Sequence, residues 1–169
     1  HRLNRRQRQM CIRDRAPLPT ITSHARGALF LGSLPKDPFI AETVWRQEGE
    51  RKTDPARFKQ NPHLTGISRR LFLKGNLTDN GQQLKETLKG DTPLIAAVFN
   101  AVDDRIGSHD TGAAWRLQVD DIAGLIPALN AALDTGRRVL LTADHGHSPF
   151  RNKSLRTGAG STPRYAELA

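Results

Sequence analysis

The chain has 169 residues, of which 37% are hydrophobic and 25% are charged, and its formal net charge is +9. This length suffices for one domain with a sizeable core, and no apolar run is long enough to span a membrane. The basic N-terminal residues are not followed by the apolar run of a secretory signal. A single cysteine excludes an internal disulfide, so we expect a cytoplasmic protein.

Residues 1–15 differ in composition from the rest of the chain. They contain six arginines and one aspartate, which supply +5 of the net charge, together with the only cysteine and the only methionine. No aromatic residue stands among these arginines to stack on bases, so a nucleic-acid-binding arm is the weaker interpretation. We therefore predict that residues 1–15 are foreign to a domain that occupies residues 16–169.

The first predicted helix covers residues 23–31. Two prolines keep residues 17–22 extended, and Gly32 is a typical residue to end the helix. Thr22 therefore falls at the helix N-terminus. Threonine is a favoured N-cap there, but a hydroxyl at this place also meets free backbone N–H groups that stabilise an alkoxide or a phosphate.

The middle of the chain alternates between polar and apolar stretches. Residues 42–62 are rich in charged and amide side chains and are interrupted by glycine and proline, which predicts a solvated excursion outside the core. A short strand is predicted over residues 70–74, and a helix capped by Asp79 over residues 79–89. Residues 94–99 form a continuous apolar run, which is typical of a strand buried on both faces.

A further helix and strand follow. The helix is predicted over residues 120–135, where Pro127 should kink or break it, and the strand over residues 139–142. The predicted apolar face of this helix consists of Ile122, Leu125, Ile126, Leu129 and Leu133. Strand, helix and strand joined by short loops indicate parallel strands with a right-handed crossover, so the fold class is α/β.

Parallel strands end at the same edge of a sheet, and the residues after these two strands are chemically notable. Asp103 and Asp104 follow the first strand, and Asp144 and His145 follow the second. Carboxylate and imidazole groups are metal ligands, and a bound metal can activate a hydroxyl such as that of Thr22 as a nucleophile. The alternative is a polar turn that carries a histidine of structural importance only.

The order of these motifs resembles that of the PglZ family, the phosphatase-like component of BREX phage-defence systems, within the alkaline phosphatase superfamily. The resemblance covers residues 16–165. The similar blocks are Leu18-Pro19-Thr20-Ile21-Thr22 with Arg26, Gly32 and Pro35 after it, then residues 71–74, 100–104 and 141–147. The spacing of the first block is also similar to the nucleophile segment of nucleotide pyrophosphatases.

The resemblance implies a three-layer α/β fold with a mostly parallel sheet and a metal-dependent phosphoesterase activity. It implies that Thr22 is the nucleophile, that Asp144 and His145 bind the metal that holds this nucleophile, and that Asp103 binds a second metal. Zinc is the expected metal and manganese the alternative. The expected partners are a phosphate-ester substrate and the proteins of a defence complex, without a direct role for nucleic acid or membrane.

The sequence departs from the superfamily pattern at three places. Gly107 stands where a histidine ligand is often found, with His109 or Asp110 as possible substitutes, and no histidine follows His147. No acid between residues 16 and 22 supplies the first aspartate ligand. These departures predict a fragment that is truncated at both ends and inactive by itself. The rival functions are a catalytically silent scaffold subunit of a defence complex and, less favoured because it typically uses serine, a phosphomutase.

Overall fold

A computed structural model describes residues 17, 20–77, 79–107 and 118–146. Six α-helices, two β-strands and three short 3₁₀ turns occur in this part of the chain. In chain order, the elements are α1 (Thr22–Leu31), α2 (Pro38–Glu48), α3 (Glu50–Gln60), a turn (Pro62–Leu64), β1 (Arg69–Phe72), a turn (Lys74–Asn76), α4 (Gln82–Lys89), β2 (Leu94–Ala97), α5 (Ala101–Gly107), a turn (Val119–Asp121) and α6 (Leu125–Asp134).

The two strands form a small parallel sheet. β1 pairs with β2 from Arg69 opposite Leu94 to Phe72 opposite Ala97, and α4 connects them. Asp79 accepts hydrogen bonds from the first two amides of α4, as its spacing predicts. The mixture of helices with a parallel sheet agrees with the expected α/β class. β2 is half-buried, not enclosed on both faces as predicted, because the sheet has two strands in the described part of the chain.

The apolar core lies between this sheet and helices α4 and α6. Its buried members are Phe72, Leu84, Leu88, Ala128 and Ala132. The guanidinium of Arg137, just after α6, donates hydrogen bonds to the carbonyls of residues 88, 90 and 92. Because these carbonyls lie at the C-terminal end of α4, Arg137 fastens the ends of the two helices together.

Helices α1, α2 and α3 pack together, and this arrangement corrects the prediction for residues 42–62. That stretch is not a solvated excursion, since α3 packs along α1 and its Asp54 side chain is 0% exposed. Phe30 of α1 meets Phe58 of α3 edge to face, with ring centroids 5.5 Å apart. Charged residues enter this interface because Arg26 pairs with Asp54 and Glu50 there, which composition alone does not reveal.

The C-terminal part of the described chain also differs from the prediction. The expected helix over residues 120–135 begins only at Leu125, so Pro127 lies in the first turn and causes no kink. The small residues Ala128 and Ala132 face the core, whereas Leu133 is 67% exposed.

The expected strand over residues 139–142 is absent, and Leu140 is 87% exposed. An apolar run favours a strand, but a strand forms only where a neighbouring backbone accepts its hydrogen bonds. Among the described residues, no helix combines the length and the apolar content that crossing a membrane requires.

Candidate active site

Thr22 is the first residue of α1, and its side chain is buried. The N-cap position belongs to Ile21, whose backbone is extended, so the interpretation of Thr22 as an N-cap is wrong by one residue. Thr22 is 5% exposed, and its Oγ1 lies 3.0 Å from Nε2 of His145. The structure thus joins the predicted nucleophile directly to one of the predicted metal ligands.

The surroundings of His145 orient its ring. Nδ1 lies 3.2 Å from the carbonyl oxygen of Gly146. In the tautomer that carries its proton on Nδ1, this nitrogen donates to the carbonyl and the lone pair of Nε2 faces the Thr22 hydroxyl. The backbone N–H of His145 donates to Oδ1 of Asp144, and Oδ2 of Asp144 lies 3.7 Å from Nε2. A hydroxyl oxygen, an imidazole nitrogen and a carboxylate oxygen therefore meet at one place.

A buried charge network lies one helical turn beyond Thr22. Nε of Arg26 is 2.8 Å from Oδ2 of Asp54, and Nη2 of Arg26 is 2.6 Å from Oε2 of Glu50. The Arg26 guanidinium also lies 5.9 Å from the centre of the Trp45 ring. The pKa of Asp54 is raised to about 6, because burial, aided by the nearby Glu50 carboxylate, outweighs the opposing effect of Arg26 and Arg57.

Arg57 reinforces the same interface from α3. Its guanidinium donates to the carbonyl of Ser23, next to the candidate nucleophile, over a distance of 2.8 Å. Gly27 makes this contact possible, since a Cβ there would lie 2.0 Å from Nη1 of Arg57. The first two turns of α1 are therefore held from one side by two arginine-centred contacts.

The charge network also reaches the carboxyl end of β2. Nδ2 of Asn100, which follows that strand, donates to Oε2 of Glu50 over 3.3 Å. One carboxylate therefore connects α1 with the sheet edge where parallel-sheet proteins bind ligands. Sequence reasoning missed the roles of Glu50, Asp54 and Asn100. The spacing of Asp54 and Phe58, one turn apart on α3, was the available sign of a buried face.

Asp103 and Asp104 lie in the first turn of α5. Asp104 is exposed and pairs with Nζ of Lys74 at 2.8 Å. In the part of the chain that the structure describes, no three His, Cys, Asp or Glu side chains are grouped closely enough to hold one metal ion. Thr22, Asp144 and His145 are brought together, whereas Asp103 does not complete a three-ligand cluster with them. His109, Asp110 and His147 lie outside the described residues.

Comparison with known proteins decides the family. The family model described as the BREX system PglZ alkaline phosphatase-like domain matches residues 3–163. The chain belongs to the PglZ family. No curated protein and no solved structure matches it. The match confirms the resemblance drawn from the motifs. Because the family is a component of BREX systems, it suggests assembly in a defence complex.

Membership of the PglZ family gives the Thr22–His145 contact a chemical context. The alkaline-phosphatase-like architecture is inferred from the family, and the small parallel sheet is compatible with it. Alkaline phosphatase-like proteins generally use divalent metal ions. The imidazole, carboxylate and hydroxyl that meet here are donor types that suit one such ion. Asp144 and His145 therefore offer two donors of the types that such an ion uses.

Proposed function

We propose that this chain contributes to a metal-dependent hydrolase of phosphate esters in which Thr22 is the nucleophile. The observation that carries the proposal is the 3.0 Å contact between Oγ1 of Thr22 and Nε2 of His145 in a buried position. A hydroxyl and an imidazole from distant parts of the chain meet here at the beginning of a helix, where an anion is favoured.

The backbone of α1 supports the same role. A helix leaves its first amides without an intrahelical acceptor, and α1 begins at Thr22 itself. Amides at such an end bind phosphate oxygens, so a phosphoryl group next to Oγ1 is oriented by the first turn of α1. Arg26, whose side chain is buried against Asp54 and Glu50, holds this turn in place without reaching the solvent.

Asp144 and His145 are the proposed ligands of one divalent cation, zinc by preference and manganese as the alternative. A cation held by these two residues would lower the pKa of the Thr22 hydroxyl and neutralise charge on the phosphoryl oxygens. Asp103 as a ligand of a second cation stays a prediction that depends on the family resemblance alone.

The reaction at Thr22 has two steps. The hydroxyl loses its proton to solvent, Oγ1 bonds to phosphorus, and the bond from phosphorus to the leaving oxygen breaks, with the leaving group taking a proton from water. Water then attacks phosphorus and the bond from phosphorus to Oγ1 breaks, which restores the hydroxyl and releases phosphate from a monoester substrate or a phosphate monoester from a diester. The substrate class is a phosphate monoester or diester.

The proposal is tested in the protein extended to its full reading frame, since we propose that the present chain is a fragment. Thr22→Ala should lower kcat for aryl phosphate monoesters and diesters by at least about a thousandfold, and Thr22→Ser should retain part of the activity. Thr20→Ala, next to the site but exposed, is the control. Full activity in Thr22→Ala, or loss in Thr20→Ala alone, would contradict the assignment.

Zinc binding by the present chain provides a second readout. His145→Ala should weaken the affinity for zinc by about a hundredfold or more, as measured by competition with a chelating dye. Gly107 in place of a histidine favours the rival function, a scaffold subunit without catalysis. If the full-length protein assembles with its defence partners but hydrolyses no aryl phosphate with zinc or manganese, the scaffold interpretation replaces ours.

A further inference from the structure

A cavity lies between α3, β1 and the turn that follows β1, apart from the Thr22–His145 contact. Its volume is about 700 Å³. Four cationic residues, Arg51, Lys59, Arg69 and Arg70, line it, and no carboxylate does. Phe58 and Leu71 contribute to an apolar part of its wall. Concentrated positive charge beside an apolar wall is the chemistry that recognises an organic anion.

The side chain of Arg69 is held in place by neutral partners. Its guanidinium donates to the carbonyls of Leu64 and Lys59 and lies 5.7 Å from the centre of the Phe58 ring. The guanidinium of Arg70 lies on the opposite face of β1, where Nη1 is 3.3 Å from Oγ1 of Thr87 on α4, so its charge is not directed into the cavity. Because carbonyl groups carry no net charge, their contacts orient Arg69 without neutralising it.

The other two side chains are exposed and available. Within the described ranges, no residue forms an ion pair or hydrogen bond with the side chain of Arg51 or Lys59. Both charged groups lie in solvent, so they can bind a ligand without breaking an existing ion pair. The cavity thus combines one fixed cation, Arg69, with two that can close on a ligand.

We propose that this cavity binds a nucleotide with two or three phosphates. A chain of phosphates carries several negative charges at close spacing, which matches the cations of Arg51, Lys59 and Arg69 in a lining without a carboxylate. The apolar wall offers a surface to the base, and the volume lies in the range of small-molecule sites. A cavity of this volume has room for a single nucleotide.

The test is titration calorimetry on the full chain with ATP, inorganic triphosphate, adenosine and a single-stranded oligonucleotide. ATP should bind, triphosphate more weakly, and adenosine least. The double variant Arg51→Gln/Lys59→Gln should weaken ATP binding by at least about tenfold, since two charge-assisted contacts are lost. Lys36→Gln/Lys52→Gln removes two exposed lysines outside the cavity lining and should change the affinity less than about twofold.

Three outcomes would overturn the proposal. They are the absence of ATP binding, ATP binding that is unchanged in Arg51→Gln/Lys59→Gln, and binding of the oligonucleotide with none of ATP. Thr22→Ala should leave ATP affinity at this cavity unchanged. A loss of ATP binding in Thr22→Ala would assign the nucleotide to the candidate active site and would likewise overturn the proposal. The proposal is therefore independent of the phosphoesterase activity.

Discussion

Helix α1 meets α3 through buried charge pairs beside an aromatic contact, whereas the core that α4 and α6 form with the sheet is a cluster of apolar side chains. In the first region, residues 22–60, Arg26 pairs with Asp54 and Glu50, and Arg57 binds a carbonyl of α1. In the second region, residues 69–134, the core consists of one phenylalanine with leucines and alanines. We call them the helical region and the sheet region.

The two regions differ in what their buried contacts do, because charge pairs fix the position of side chains and apolar contacts stabilise the fold. Burying apolar area stabilises a fold in proportion to that area, and it does not depend on pH. A buried ion pair gains little net free energy, because desolvation offsets the attraction, but it penalises any arrangement that separates its members. The helical region carries Thr22, and its charge pairs therefore determine where the hydroxyl lies more than how stable the domain is.

The largest effect should come from breaking the buried pair on one side. Arg26→Met leaves Asp54 buried without its cation and should lower the free energy of unfolding at pH 7 by about 4 kcal/mol. The measurement is urea unfolding. The double variant Arg26→Met/Asp54→Leu should recover much of the loss, because the fully buried carboxylate is removed together with its cation, while Glu50 keeps its hydrogen bond from Asn100.

Arg46→Met is the matched control for this experiment. Arg46 is exposed and pairs with Glu42 one turn away on α2, so its removal should cost less than about 1 kcal/mol. If Arg26→Met unfolds at the same urea concentration as the wild type, the helical region does not depend on its charge network and the contrast between the regions fails.

In the sheet region, Leu84→Ala should lower the free energy of unfolding by about 3.5 kcal/mol, the middle of the range for a leucine truncated in a core. Leu84 is 2% exposed and packs in the core cluster. Leu133→Ala on α6 removes the same atoms from an exposed site and should change stability by less than about 0.5 kcal/mol. Equal effects of the two substitutions would refute the assignment of the core.

Acidity should act on the helical region through Asp54, whose pKa is raised from 3.8 to about 6 by burial. Below about pH 4 the carboxyl is protonated in both states. Between about pH 4 and pH 6 the unfolded chain ionises while the folded chain keeps its proton, so stability falls as the pH rises through this window. A difference of about two pH units corresponds to about 3 kcal/mol.

Asp54→Asn removes this titration. Its stability relative to the wild type should therefore rise by about 3 kcal/mol between pH 4 and pH 7, measured by urea unfolding at several pH values. Asp91→Asn, at an exposed position, should leave the pH profile as it is in the wild type. Parallel profiles for Asp54→Asn and the wild type would show that Asp54 titrates alike in both states.

Sequence reasoning predicted the sheet region better than the helical region. Periodic leucines mark α4, and the apolar run at residues 94–99 marks β2, because burial selects the same residue types that the pattern detects. The same reasoning gave the wrong prediction for the polar stretch at residues 42–62. Its buried Asp54 looks like any solvated aspartate until the position of Arg26 in space is known.

At the candidate site, too, part of the prediction succeeded and part failed. The motifs pointed to Thr22, Asp144 and His145, and the structure brings these three together. Their predicted roles remain proposals, as does the role of Asp103 at the start of α5. The expected strand before Asp144 did not form, because a strand depends on a neighbour that local sequence cannot supply.

The contact between Thr22 and His145 joins residues 123 positions apart in the chain. Closing a loop of this length costs chain entropy, so the two side chains meet stably only where the intervening chain is ordered. The contact between the hydroxyl and the imidazole therefore depends on the helices and the strand crossover that lie between them. A partly unfolded chain carries the same two residues apart, so the candidate site exists only in the folded domain.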